Sequence, residues 1–396
     1  MIKIFKNKIF LIGLMVVILL IGFMIIFKKI NFSFLTSNNF SQNHYQASLN
    51  SKYASIIPSN LSKTILKQPT GSFNIVNFGA SVNNPNNFQA IKRTILAAQK
   101  QNGLVFIPIG TYRLAGSLKI SSKIILEGAN EVKSVLMETK PTADLLSDQA
   151  NGTIVQNITL NTQTYNGGHA FGTEASYTTL QNAIILSGSS PGHFALYYAG
   201  APGASPHSPR YSQGNKLLNI IENDQICDDG ISWSFQNNSS ITNLNETGSR
   251  LAIYVDKNLT INNYVYHPGI QTVSCRNSPN GIPTQGFWVT PPSSNIVINN
   301  FNTYGNGGKF SSSANLYSSN ITINNENFMN QVGYQMYVGD VRGLTINNSN
   351  FKNNKLIINP TIHAIINLKN SKINKLNLVS KSKINLSCQN IVSSTC

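Results

Sequence analysis

The residues best suited to acid–base chemistry lie in one short segment of a chain that otherwise has few carboxyl groups. Only 14 of the 396 residues are Asp or Glu, yet Glu222, Asp224, Asp228 and Asp229 fall within eight positions. Neighbouring carboxyl groups repel each other's charge, which can keep one of them protonated as a general acid. The segment therefore predicts catalysis. The alternative is structural, because Asp229-Gly230 is a common turn signal before a strand.

Charged residues that could act with this segment follow it in the sequence. Arg250 can bind a sugar carboxylate through two hydrogen bonds, or it can neutralise a sugar acid while a base removes the C5 proton in β-elimination. Asp256, Lys257 and His267 follow soon after and could line the same groove for substrate binding. For Arg250 the alternative is a plain surface position, and for His267 a loop position.

Aromatic residues recur near the equivalent strand of successive repeats. Trp233, Tyr254 and Trp288 would form a sugar-stacking surface if their rings point outward, and part of an aromatic core if they point inward. Strand alternation does not choose between these interpretations without the exact register. Both remain open from the sequence, with substrate binding as the functional hypothesis.

The elements that must position these residues repeat along the chain. A phrase of Asn, β-branched residues and Asn appears as NITLN, SSITN, NLTINN, NIVINN, NITINN and GLTINN. Most of these phrases recur at intervals of 20 to 25 residues, a period typical of a solenoid. β-Branched inward residues that stack in columns favour a parallel β-helix over leucine-rich repeats. Asn at each corner tolerates left-handed backbone and can form a hydrogen-bonded ladder. The last apolar residues of five phrases are Ile241, Ile261, Ile298, Ile323 and Ile346.

Stacking the repeats predicts which residues lie side by side. Counting back from Ile241 and Ile261 places Asp229 level with Ser249, one residue before Arg250. Arg250 is thus expected at about one strand spacing, roughly 5 Å, from the acidic pair.

Two longer intervals break the period. They are 61 residues between Leu160 and Ile221 and 37 residues between Ile261 and Ile298. We interpret both as loops, and loops on a rigid scaffold usually form the binding face.

The repeats are preceded by a different pattern. FNIVNFGA (residues 73–80) and LVFIPIGTYRL (residues 104–114) alternate like strands, and Phe88–Gln99 has apolar residues at helical spacing. This predicts strand, helix, strand, with the helix capping the open end of the solenoid.

With KIILEGA (residues 123–129), this opening resembles that of the pectate-lyase-like superfamily. The resemblance implies an all-β fold, a right-handed single-stranded parallel β-helix, but no particular reaction. The acidic segment more loosely resembles the site of polygalacturonase-type glycoside hydrolases, in which one carboxylic acid protonates the leaving oxygen while others activate water. Asp228 and Asp229 match the paired Asp and Asp224 the separate one. The Gly-His-Gly of such enzymes is missing, because TGSR (residues 247–250) stands at its place.

The N-terminus predicts attachment to a membrane. Nineteen uncharged residues from Ile9 to Phe27 lie between lysines, and a helix of that length crosses a hydrocarbon core of roughly 30 Å. We expect a signal-anchor over residues 1–29, with a cleaved signal peptide or a buried helix as alternatives. A linker over residues 30–70 and a β-helix over residues 71–396 would then face the extracellular side of the cell membrane.

The charge of the chain bears on its partners. The net charge is +16, and only five of the lysines flank the apolar segment. A basic outer portion attracts anionic polymers, although lysines also protect exposed strand edges. The expected partners are a polysaccharide, with an anionic one mildly favoured, and the membrane, without nucleic acid. The sequence does not predict the oligomeric state.

The leading hypothesis is a membrane-anchored, extracellular, polysaccharide-active enzyme that hydrolyses glycosidic bonds with Asp228 and Asp229 as acid and base and without a cofactor. The alternative enzyme is a lyase or epimerase on a uronate-containing glycan, which would use Arg250 and Ca²⁺ held by the acidic segment. A third hypothesis is a non-catalytic glycan- or wall-binding β-helix, because fold alone does not imply function.

Overall fold

Strands from successive turns of the chain pair in parallel along the whole described structure. The computed structural model describes residues 64–163, 168–188, 194–224, 229–268, 285–311, 316–329 and 335–392. These residues form a β-solenoid of about ten turns with little helix. The expected membrane segment and linker up to residue 63 lie outside these ranges. Within them, no helix is long and apolar enough to cross a membrane.

The start of the solenoid contains the predicted helix but a shorter first strand. Strand β1 is Phe73–Asn74, a 3-10 helix follows at Ile75–Phe78, and helix α1 is Phe88–Gln99, as expected. Gly79 ends the 3-10 helix with a φ of 95°, a left-handed conformation that glycine adopts readily. The chain therefore turns where an extended strand was expected. Helix α1 buries Ile91 in the core at this end, which supports its role as a cap.

The strands form three parallel sheets around the core. Strands confined to the first sheet are β2 Leu104–Ile107, β5 Ile125–Gly128, β21 Ser318–Asn324, β24 Val341–Asn347, β26 Ala364–Lys369 and β28 Ile384–Gln389, together with β1. Those confined to the second sheet are β3 Gly110–Leu114, β6 Ser134–Glu138 and β22 Asn327–Phe328. Longer strands run through the corner from the first sheet into the second, and they are β8 Ile154–Asn161, β10 Thr179–Leu186, β13 Lys216–Asn223, β15 Gln236–Gly248, β17 Lys257–Pro268 and β19 Ser294–Thr303.

The third sheet carries most of the predicted site residues. Its strands are β4 Leu118–Ile120, β7 Asp144–Asp148, β9 His169–Thr173, β11 Leu196–Tyr198, β14 Asp229–Ser234, β16 Arg250–Tyr254, β18 Gln285–Thr290, β20 Asn306–Phe310 and β23 Gln335–Val338. Strands β25 Asn350–Ile358 and β27 Lys372–Leu378 continue from the second sheet into the third, and the short β12 Ser212–Gln213 pairs with the start of β15.

The predicted column of isoleucines is present in the first sheet. Successive members are direct strand partners and all are fully buried: Ile241, Ile261, Ile298, Ile323 and Ile346. Burying one such side chain contributes about 1.5–3 kcal/mol. The column therefore holds neighbouring turns together, and the prediction of a parallel β-helix is confirmed.

One complete turn is not among the repeats predicted from the sequence. Strand β10 lies between β8 and β13 and pairs with both, so the 61-residue interval after Leu160 contains a coil as well as a loop. Its phrase, LQNAIIL (residues 180–186), has the corner Asn182 but no second Asn. This turn therefore lacks the full phrase of Asn, β-branched residues and Asn.

The corner between the first and second sheets is made by a ladder of asparagines, as expected. Each has a positive φ between 48° and 59°, and every side-chain amide after the first donates to the side-chain oxygen of the asparagine one turn before it, at 2.7–3.0 Å. Asn tolerates this backbone better than most residues. The ladder members are Asn157, Asn182, Asn219, Asn243, Asn263, Asn300 and Asn325.

A buried glutamate in the second half of the solenoid makes stability depend on pH. Glu326 is fully buried, and burial raises its pKa to about 8 from a usual 4.5. The folded state therefore holds a proton that the unfolded state loses as the pH rises from 4.5 to 8, so stability falls across that window. We expect Glu326→Gln to remove this loss, on the order of 4 kcal/mol at pH 8.

Urea unfolding of both proteins at pH 5 and pH 8 would measure the effect. The exposed Glu174→Gln is the matched control and should leave the pH dependence unchanged. Identical pH profiles for the wild type and Glu326→Gln would contradict the prediction.

Candidate functional site

The third sheet brings Asp229 and Arg250 together as direct partners. They face each other across β14 and β16, and the register shifts between Asp229 and Ile231. This irregularity takes up Gly230, so Asp229 lies opposite Arg250 and not opposite Ser249 as counted from the sequence. The expected proximity of the acidic segment to Arg250 is therefore present, with a register that differs by one residue.

Asp229 is held by two side chains from the next turn. Its Oδ1 accepts a hydrogen bond from Arg250 Nε at 2.6 Å, and its Oδ2 accepts one from the Tyr254 hydroxyl. Only 2% of the Asp229 side chain and 10% of the Arg250 side chain are exposed. A charge-assisted bond in such a shielded place is strong. Asp229 thus starts a strand and pairs with side chains, which differs from the turn-capping alternative.

An aromatic ring and two cations complete this cluster. The Arg250 guanidinium lies 4.2 Å from the centre of the Trp288 ring, and the Lys309 ammonium lies 5.4 Å from it. The Tyr254 ring meets the Trp288 ring edge-on at 5.8 Å. Arg250 Nη1 also donates to Gln285 Oε1 at 3.4 Å. The cluster of Asp229, Arg250, Tyr254, Trp288 and Lys309, hereafter the Asp229 cluster, combines a carboxylate, cations and a ring of the kind that binds sugars.

A row of side chains on the third sheet connects this cluster with earlier turns. Its members are successive strand partners from β7 to β20, and Tyr197 and Trp288 are half-buried whereas the small residues between them are fully buried. We call it the outer row: Ser147, Gly172, Tyr197, Ser232, Ala252, Trp288 and Lys309.

Three further carboxyl groups lie in the interior. Burial raises the pKa of Glu222 well above its usual value, and the Asp224 and Glu246 carboxyl groups raise it further. Burial also raises the pKa of Glu246, against a hydrogen bond from Tyr264. Raised pKa values keep these glutamates neutral inside the solenoid.

Asp224, a predicted catalytic residue, is 3% exposed and turned inward. Its Oδ1 accepts a hydrogen bond from the Ser249 amide at 2.9 Å. A Cβ added at Gly230 would lie 2.3 Å from its Oδ2, and one added at Gly248 would lie 2.2 Å from its Oδ1. These glycines make room for the carboxyl group, so Asp224 fixes the backbone of the site and is not presented at the surface. Asp228 lies outside the described residues.

Two expectations for substrate binding are wrong because the side chains are inside. Trp233 is fully buried, packs 4.3 Å from the Tyr198 ring and donates from Nε1 to Ser239 Oγ at 3.1 Å. Asp256 is also fully buried, and its Oδ1 accepts a hydrogen bond from the Gln236 backbone N–H at 2.6 Å. Burial raises the pKa of Asp256 well above its usual value. Both residues support the fold.

The other two candidates lie at the ends of the neighbouring strands. Lys257 is exposed beyond the far end of β16, with its ammonium 5.0 Å from the Tyr211 ring. His267 stacks on Tyr304 at 4.3 Å, and partial burial lowers its pKa. His267 pairs in register with Thr247, three residues before Arg250, and Lys257 follows Tyr254 by three residues, so the two lie beyond opposite ends of β16.

A second group of polar residues was missed by the sequence reasoning. Asp144 and His169 are strand partners in β7 and β9, and His169 Nδ1 lies 2.7 Å from Asp144 Oδ1. With Tyr197 they line a cavity of about 300 Å³. The separation of 25 residues between Asp144 and His169 equals one turn and is the sequence signal that could have indicated the pair.

The acidic segment expected to hold Ca²⁺ in a lyase is described in part, because Asp228 lies outside the described residues. Among the residues the structure covers, no group of three or more His, Cys, Asp or Glu side chains is placed to hold a metal ion. Asp229 is engaged by Arg250 and Tyr254, and Glu222 and Glu246 are buried.

A family model described as rhamnogalacturonase A/epimerase, pectate lyase-like, matches residues 72–282, more than half of the chain. No curated protein sequence matches the chain.

Three solved structures of similar fold are 11–15% identical to this chain. The Dettilon tailspike protein has a TM-score of 0.56 and 11% identity, over 88% of this chain and 74% of that one. The A-module of a mannuronan C-5 epimerase from Azotobacter vinelandii has a TM-score of 0.52 and 14% identity, over 82% and 100%. The catalytic domain of a GH87 α-1,3-glucanase in complex with nigerose has a TM-score of 0.51 and 15% identity, over 76% and 63%. At these identities the likeness is one of fold.

Proposed function

Because the chain belongs to the rhamnogalacturonase A/epimerase, pectate-lyase-like family, we propose that it is a membrane-anchored extracellular enzyme that acts on a polysaccharide. The observation that supports this most is the Asp229 cluster on the third sheet. In this cluster Arg250 binds the shielded Asp229 carboxylate, and its guanidinium lies over the Trp288 ring. Aromatic rings bind the apolar faces of sugars, and a fixed carboxylate can move a proton.

The reaction we propose is hydrolysis of a glycosidic bond. Asp229 accepts a proton from the water that attacks the anomeric carbon, while a second carboxyl group gives a proton to the leaving oxygen as the carbon–oxygen bond breaks. Asp228, the expected partner, is adjacent in sequence. Arg250 and Tyr254 hold the Asp229 carboxylate in one orientation, which is the positioning such a step requires.

One observation favours a second reaction, elimination or epimerisation on a uronate-containing glycan. Arg250 and Lys309 both lie against the Trp288 ring, so a ring stacked there has two cations within reach of a carboxylate substituent. Neutralising that carboxylate makes the C5 proton easier to remove. The proposed substrate is therefore a polysaccharide, with an anionic one favoured in either reaction.

The experiment that separates these proposals is an assay of several polymers with the full chain in detergent. Polygalacturonate, rhamnogalacturonan, polymannuronate and α-1,3-glucan would be incubated with protein and compared with samples that lack it. New reducing ends alone indicate hydrolysis, unsaturated uronate products indicate elimination, and an altered C5 configuration in the NMR spectrum indicates epimerisation. We expect at least one polymer to change. If none changes but one binds, the chain is a glycan-binding β-helix and not an enzyme.

A further inference from the structure

We propose that the cavity formed by Asp144, His169 and Tyr197 is a second sugar-binding site, which holds an uncharged sugar ring of the same polysaccharide chain. This inference rests on the proposed function, because it extends the substrate of the Asp229 cluster along the third sheet. The cavity lies on strands β7, β9 and β11. Its volume of about 300 Å³ is at the lower end of the range for small-molecule sites.

The walls of the cavity combine a stacking surface with fixed polar groups. The His169 ring stacks on Tyr197 at 4.8 Å and on Phe194 at 5.7 Å, and Phe194 stacks on Tyr197 at 5.5 Å. Asp144 Oδ1 holds His169 Nδ1 at 2.7 Å, and 20% and 16% of their side chains are exposed. Such a site offers a ring one flat apolar face and hydrogen-bond partners at its rim.

The charges around the cavity select the kind of sugar. Asp144 and Glu174 are among its lining residues, and the described part of that lining contains no Lys or Arg. Asp148 also lines it, but it is 1% exposed and its oxygens accept hydrogen bonds from threonine hydroxyl groups. Carboxylates accept hydrogen bonds from sugar hydroxyl groups but repel a sugar carboxylate. A neutral ring therefore fits here, whereas the Asp229 cluster, with Arg250 and Lys309, suits an acidic one.

The two sites are aligned by the register of the third sheet. Tyr197 pairs with Ser232 on β14, the strand that begins with Asp229, and His169 is one strand further away. At about 4.8 Å per strand, His169 lies roughly 10 Å along the solenoid from the strand of Asp229. The outer row continues through Ala252 to Trp288. Because Ser232 and Ala252 between the two rings are fully buried, one extended glycan would pass over them and contact the half-buried Tyr197 and Trp288 rings at either side.

Gly172 provides a variant that alters the cavity without removing a buried group. Its Cβ, if present, would lie 2.9 Å from Asp144 Oδ1. Gly172→Ala therefore displaces the carboxylate from His169. The displaced atom is the end of a side chain, so the fold can accommodate the change.

The test is the dependence of binding on glycan length. Rhamnogalacturonan, oligogalacturonate and nigerose-type oligosaccharides of two and six sugars would be titrated calorimetrically into the full chain carrying Asp229→Asn, which stops turnover if the proposed function is correct. We expect a six-sugar ligand with neutral rings to bind best. Tyr197→Ala and Gly172→Ala should each weaken it roughly tenfold, the usual effect of truncating a central contact. The affinity for two-sugar ligands that bind at the Asp229 cluster should stay unchanged in both variants.

Tyr317→Ala is the matched control, because Tyr317 is a 37% exposed tyrosine against Arg342, outside the outer row. Six-sugar affinity that is unchanged in both cavity variants, or absence of binding by every oligosaccharide, overturns the proposal. Tyr197→Ala and Gly172→Ala would also be made in the otherwise wild-type chain, and turnover of long chains with unchanged KM in these two variants overturns the proposal while leaving the proposed function intact. If binding depends on glycan length but the wild type turns over no polymer, the second sugar-binding site is supported and only the proposed enzymatic function is rejected.

Discussion

Asp229→Asn is expected to lower kcat on the polysaccharide substrate by about 10²–10⁴-fold, with little change in KM. Asn has nearly the shape of Asp but cannot take up the proton of the attacking water. Release of reducing ends, measured over a range of substrate concentrations, would give both constants. Lys257→Ala is the control, because it removes a charge from an exposed position beyond β16 and should leave kcat unchanged.

The same variant removes the counter-charge of Arg250, so stability must be separated from chemistry. An unpaired, mostly buried guanidinium destabilises a protein by up to about 3–5 kcal/mol. The double variant Asp229→Asn/Arg250→Gln replaces the ion pair by two neutral amides and should recover much of this loss. If the double variant is stable and still inactive, Asp229 acts in the reaction. If a well-folded Asp229→Asn protein turns over substrate at the wild-type rate, the hydrolase mechanism is wrong.

The two tryptophans of the chain are expected to respond to substitution in opposite ways. Trp233→Ala should destabilise the protein by about 3–5 kcal/mol, because it empties a fully buried site beside Tyr198. Trp288→Ala loses two cation–π contacts at a half-buried position, about 1–2 kcal/mol together. Its main effect should be a roughly tenfold or larger rise in KM from the lost stacking surface.

Urea unfolding and substrate kinetics on the same preparations would measure both effects. Since the chain has only two tryptophans, Trp233→Phe leaves Trp288 as the one fluorescent indole. Its emission should change when oligosaccharide binds, whereas that of Trp233 in Trp288→Phe should not. A large stability loss from Trp288→Ala with normal KM would contradict its placement at the glycan-binding surface.

The repeats and the cap could be predicted from the sequence because each depends on local patterns. The helix Phe88–Gln99 has its expected bounds, and the isoleucines of the first sheet form the expected column. Asn at the corners has a backbone reason that is the same in every turn. The turn containing β10 could not be recognised from the repeated phrase, because its segment LQNAIIL lacks the second Asn and still packs in the same position.

The orientation of the site residues could not be predicted, because a shift of one residue exchanges the two faces of a strand. Trp233 is the third residue after Gly230 and Trp288 the second after Gly286, and this difference puts one ring inside and the other outside. The irregularity between Asp229 and Ile231 also shifts the register of β14 against β16 by one residue. Asp144 and His169 meet through pairing across a full turn, and neither lies in one of the repeated phrases that align the turns.

The asparagine ladder also bears on how chains of this kind change in length. Every rung has the same backbone conformation, and the side-chain bonds of the ladder join each rung to its direct neighbours. Loss or duplication of one whole turn therefore leaves a continuous ladder and continuous core columns, as in other one-dimensional repeat proteins. Evolution can lengthen or shorten the solenoid in modular units, and the distance between the Tyr197 and Trp288 rings then changes only in steps of one turn.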